Sequence, residues 1–149
     1  MRNSTAEMPD GLSPELKEHV FLLLEDASEP DRIADQILQL GSNQCFFMAE
    51  EHNWDDGFEV PTLILQNPNC DLATALMLFW LADGYSFFFH PEMVASHPVQ
   101  SAFLNPLFER LRSRDFRETN NHYEPGMNAV QEHKMKKMNI EPIFFGTPR

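Results

Sequence analysis

Residues 52–61, His-Asn-Trp-Asp-Asp-Gly-Phe-Glu-Val-Pro, gather the most suggestive side chains in the chain. His52 can act as a base or bind a metal. Asp55, Asp56 and Glu59 can take up a proton, hold a cation or cap a helix, and Trp54 can anchor a partner. Glu50 and Glu51 add two acids just upstream. The stretch therefore reads in three ways: a metal or acid/base site, a binding lip, or a tight turn that starts a helix.

Metal chemistry finds little support. The sequence has no H-x-x-x-H, H-E-x-x-H, C-x-x-C or D-x-D-x-D-G pattern, the spacings that bring ligands around one ion. Histidines 19, 52, 90, 97, 122 and 133 are scattered, and His90 and His97 each precede a proline, as turn residues do. No metal or other cofactor is expected. Acid/base catalysis could pair Asp55 or Asp56 with each other, with Glu59 or with Asp83. Helix capping is the stronger reading, since an Asp-Asp-Gly turn before a helix supplies side-chain oxygens for free N–H groups, worth about 1 kcal/mol each. Asp71 takes the same explanation. No G-x-S-x-G accompanies a serine nucleophile, and Cys45 and Cys70 sit in helical or capping contexts. "LADGYS" and "DDGF" lack the glycines and Lys-Ser/Thr of a phosphate loop. No catalytic residue is assigned. Arg110, Arg112, Arg114 and Arg117 read as a solvated helix end rather than a nucleic-acid patch. Trp54 reads as packed against the turn, with a partner anchor as the alternative.

These residues need elements to hold them. Ser13-Pro14-Glu15 predicts a helix start, followed by the stripe Leu16, Val20, Leu23 and Leu24. Ser28, Pro30 and Asp31 open a second helix with Ile33/Ala34 and Ile37/Leu38 on its face and Gly41 as its stop. Ser42 caps a third carrying Cys45, Phe46 and Ala49, and a short helix follows over 59–66. Asp71 caps the most apolar helix, 72–83, predicted to be central, buried nearly all round and ended by Gly84. "YSFFFHPEM" is either a short strand or an aromatic plug. Val99 to Leu111 is helical with a kink at Pro106, and 127–138 is the last helix. The Phe144-Phe145 tail is expected to dock on the core. The fold class is all-α: a compact bundle of about six or seven short helices, residues 1–12 flexible and 13–149 one helical domain.

Composition limits the partners. The chain has 149 residues, 42% hydrophobic, including 13 phenylalanines, enough for a real core. Two cysteines, no apolar leader and no apolar run long enough to span a bilayer point to a cytoplasmic protein. The net charge is −12 and unevenly spread. Residues 1–83 hold 16 Asp/Glu against 3 Lys/Arg, a net of −13, and residues 84–149 hold 7 against 8, a net of +1. Such a face repels nucleic acid and anionic membrane and attracts basic proteins; general solubility is the plainer use of the same charge.

The stretch from Asn53 to Gly84 resembles a bacterial family known as domain of unknown function 4274. The resemblance lies in the Trp54-Asp55-Asp56-Gly57 turn, Pro61, the Cys70-Asp71-Leu72 step and the Thr74-Ala75-Leu76 helix running to Gly84. It implies a small helical module, a family-like core of about 42–112, and no particular activity. Small acidic proteins of this kind are similar to immunity proteins of bacterial toxin systems. The function expected is therefore protein binding rather than catalysis: an immunity protein of a toxin–antitoxin type, a monomer or homodimer, occluding the basic cleft of a secreted effector toxin. Its contacts would be Glu50, Glu51, Trp54, Asp55, Asp56 and Glu59. The alternatives are an enzyme with a carboxylate site at Asp55/Asp56 and a scaffold that self-associates through "YSFFFHPEM".

Overall fold

The computed structural model describes residues 12–147. Residues 1–11 of the expected flexible start lie outside these. Leu12, assigned to the same stretch, is instead core, 2% exposed. Helix α1 spans Pro14–Leu24, with Ser13 Oγ accepting from the Leu16 amide at 3.3 Å and Pro14 in the first turn. Its buried face is narrower than the predicted stripe. Val20 and Leu23 are inside, while Leu16 is exposed.

The second predicted helix is broken in two. A 3-10 turn, Pro30–Arg32, gives way at Ile33 to α2, Ala34–Ile37. Ile33, Ile37 and Leu40 are still buried, so the apolar spacing survives without a continuous helix. Gly41 is not a left-handed stop. It stands in extended backbone at the start of α3, Ser42–Glu51, where its amide donates to Gln44 Oε1 at 3.3 Å. Helix α4 is Glu59–Gln66, the bounds the sequence predicts.

Helix α5, Leu72–Leu81, is the centre of the molecule. Every residue from Leu72 to Phe79 is buried, and the helix packs against α3 and against the later helices Gly84–Phe89 and Pro98–Arg112. It ends before Asp83, and Gly84 does not terminate it. Asp83 takes the left-handed conformation (φ 72°, ψ 49°) and caps the next helix, α6, Gly84–Phe89, by accepting from the Ser86 amide at 3.2 Å. Gly84 is demanded by packing, because a Cβ there would lie 2.4 Å from the Phe79 ring.

The phenylalanine run is thus helical, and the aromatic-plug reading prevails over the strand. Phe87 and Phe88 pack on Phe79 and Phe108, and Phe88 also meets Phe144. Helix α7 is Pro91–Ala95 and α8 is Pro98–Arg112. Helix α8 continues through Pro106, whose missing amide falls on an exposed face where water can serve the orphaned carbonyl. After a long loop, Asn128 caps α9, Ala129–Lys137. The last 3-10 turn, Pro142–Phe145, buries Phe144 completely; its ring stacks on Phe108 at 5.2 Å and 17°. The Phe144 carbonyl accepts from Nε1 of half-buried Trp80 at 3.0 Å.

The described residues hold nine α-helices, three 3-10 turns and no strand, so the fold is all-α. The two helices beyond the expected seven are α6 and α7, both in the phenylalanine-rich segment that the sequence left as a strand or a plug. No helix among them is long and apolar enough to cross a membrane.

Candidate functional site

The 52–59 segment is a clamped turn. Gly57 has φ 94°, a value that excludes most side chains, and a Cβ there would meet Glu59 Oε1 at 2.9 Å. The Gly57 carbonyl accepts from His52 Nε2 at 2.9 Å, which puts the proton of neutral His52 on Nε2. Burial holds the His52 pKa below its usual value, outweighing the bond to Gly57 and the charge of Asp56. His52 is therefore a buried strut and not an exposed base. Trp54 lies edge-on to His52 at 4.9 Å and touches Phe58 and Phe103, so it is packed as predicted and half-buried. Trp54 Nε1 and His52 Nδ1 are buried without a hydrogen-bonding partner.

The capping role read for Asp55 and Asp56 is not realised. Asn53 does that work: it stands in extended backbone before the 3-10 turn Trp54–Asp56, and its Oδ1 accepts from the Asp55 amide at 3.0 Å. Helix α4 begins with Phe58 in the cap position and no side-chain cap. The acids lie inside the short turn, where side chains project outward. Glu50, Glu51, Asp55 and Glu59 are exposed and Asp56 is half-buried. The turn thus displays carboxylates that do not hold the local backbone.

Asp71 shows the opposite arrangement. It is fully buried, and Oδ1 accepts from the Thr74 amide at 2.8 Å, the predicted cap. Oδ2 accepts from Thr119 Oγ1 at 2.6 Å and Asn121 Nδ2 at 2.8 Å. Asn121 Nδ2 also reaches Asn43 Oδ1 at 3.0 Å, and the Ser42 hydroxyl donates to the Asn69 carbonyl at 2.6 Å. One carboxylate therefore ties the start of α3 and the loop after α8 to the central helix. The Thr119 and Asn121 bonds, some fifty residues away in sequence, were beyond any local reading.

The cysteines are shielded. Burial, with a smaller contribution from Asp71, pushes the Cys45 thiol up to about 12, and burial raises Cys70 as well. Both remain thiols at neutral pH and poor nucleophiles. Arg112, Arg114 and Arg117 are exposed, as a solvated helix end is, and Arg110, Arg112 and Arg117 are engaged by partners within the chain. Arg110 donates to the Leu65 carbonyl at 2.9 Å and covers the Phe116 ring at 4.1 Å. Arg117 donates to Asn69 Oδ1, and Arg112 pairs with Glu109.

A groove that the sequence did not announce adjoins the turn. It is open and mostly apolar, with a volume of about 600 Å³, bounded by the exposed side of α4, the first turns of α8, and Pro30, Asp31 and Ala34. Phe58 and Phe103, which carry Trp54 from below, line it; Glu59 belongs to both turn and groove.

Fold and site together define a small all-α domain with an acidic turn set beside an apolar groove. The chain belongs to the family described as Domain of unknown function (DUF4274), whose model matches residues 42–121, from the first residue of α3 to Asn121 of the Asp71 network. Neither a curated protein nor a solved structure matches it significantly.

Proposed function

We propose that this protein binds a basic protein partner through the acidic surface of Glu50, Glu51, Asp55, Asp56 and Glu59, with Trp54 holding the turn in place. Within that class we propose an immunity protein that occludes the basic cleft of a bacterial toxin. The observation that supports this is the display of turn acids that the fold does not use for capping, on a backbone fixed by Gly57, His52 and Asn53. Carboxylates carried on a fixed backbone within the acidic N-terminal half of the sequence speed encounter with a basic surface and give salt-dependent affinity. Rigid presentation also limits the entropy lost on binding.

The test is capture from the source lysate followed by titration of the recovered partner. The proposal expects a basic protein that is toxic when expressed alone and harmless with this chain. Its affinity falls with salt and falls again in Asp55→Lys/Asp56→Lys. A partner indifferent to that charge reversal would refute the acidic-surface reading.

A further inference from the structure

We infer that the α4–α8 groove seats one amphipathic, basic helix of the partner, its apolar residues entering the groove and its Lys or Arg residues meeting Asp31 and Glu59. The sign of the partner rests on the binding function proposed above, while the groove stands on its own geometry. Two of its walls present one face of a helix each, and Pro30, Asp31 and Ala34 form the third. Glu59, Thr62 and Leu63 follow the i, i+3, i+4 spacing on α4, and Val99, Ala102 and Phe103 do so on α8. Val99, 66% exposed, leaves a β-branched side chain at the mouth with no cover. The volume of about 600 Å³ suits a few large apolar side chains.

Charge decides the occupant. Asp31 and Glu59 are the charged residues of the lining, and both are acids. The neighbouring cation, Arg32, is already paired with Glu29 at 3.1 Å. A purely apolar segment would strip water from these carboxylates without replacing it, and an acidic one would be repelled. A basic one satisfies them. With no strand among the described residues to extend, a helix laid between helices is the fitting mode.

The probe is a fluorescein-labelled helical peptide of about 14 residues, with leucines at i, i+3/i+4, i+7 spacing and lysines elsewhere. A second peptide has glutamates replacing the lysines. Fluorescence polarisation on the full chain should show the lysine peptide binding and the glutamate peptide failing. Ala102→Trp fills the groove without changing charge and should weaken the lysine peptide by about tenfold or more, as should the milder Val99→Ser to a lesser extent. Amide shifts on binding should centre on Thr62, Leu63, Val99 and Ala102. Three results would overturn the inference: lysine-peptide affinity unchanged by Ala102→Trp, equal binding of both peptides, or no binding at millimolar peptide. A dimer of this chain abolished by Ala102→Trp would also overturn it, naming a second copy as the occupant. Loss of partner binding in Asp55→Lys/Asp56→Lys alongside an indifferent Ala102→Trp would retire the groove and leave the acidic surface standing.

Discussion

Asp71 and the Asp55–Asp56 pair are the same residue type, each met at the start of a helical segment, and the fold treats them in opposite ways. Asp71 is wholly buried, and its two oxygens accept from Thr74, Thr119 and Asn121. Asp55 is exposed and Asp56 half so, and Asn53 has taken the capping work from them. A carboxylate whose oxygens are consumed is structure. One held on a rigid turn and left to solvent is available for recognition. The difference lies in what surrounds each acid, which a motif such as Trp-Asp-Asp-Gly or Cys-Asp-Leu does not state.

Breaking the buried side of the comparison should have the largest effect. Asp71→Ala leaves the Thr74 amide, the Thr119 hydroxyl and the Asn121 amide without their acceptor, and should cost about 3 kcal/mol or more in urea unfolding. Trp54→Ala comes next. It removes a half-buried ring from His52, Phe58 and Phe103 and should cost about 2 kcal/mol by the same measurement, loosening the turn as well.

His52 sharpens the contrast through pH. Burial lowers its pKa in the folded chain, so as the pH falls below the usual 6.5 the unfolded chain takes up a proton that the folded one resists. Stability is therefore kept above 6.5 and lost as the pH drops from there toward the lowered folded value. Urea midpoints measured from pH 7 to pH 5 should fall more steeply for the natural chain than for His52→Gln. The smallest effect on stability belongs to the turn acids, where Asp55→Ala/Asp56→Ala should stay within about 0.5 kcal/mol of the parent. The capping reading expects about 1 kcal/mol lost at each position.

What the sequence made legible was local chemistry. Ser13 beside Pro14, the limits of 59–66 and the Asp71 cap each depend on atoms a few residues apart, and each is found as read. The all-α class and the buried central helix followed from apolar spacing. The failures concern how the chain is turned in space, over short spans as well as long ones. Gly84 looked like a stop because its real constraint, the ring of Phe79 five residues back, depends on the direction α6 takes after Asp83. Asp83, a non-glycine residue, takes the left-handed turn in its place. The second oxygen of Asp71 is served by residues 48 and 50 positions away. In the candidate site, the exposed acids were legible one by one, but their freedom from capping depended on Asn53. The groove was hidden because Val99 fits an apolar helical stripe whether or not anything covers it.

The most direct test of the contrast is one paired urea unfolding experiment on Asp71→Ala and Asp55→Ala/Asp56→Ala beside the natural chain. Asp71→Ala should lose about 3 kcal/mol or more, and the double turn variant should keep the parent's midpoint. A double turn variant as damaged as Asp71→Ala would contradict that contrast, since the turn acids would then be part of the scaffold and not carboxylates left for a partner.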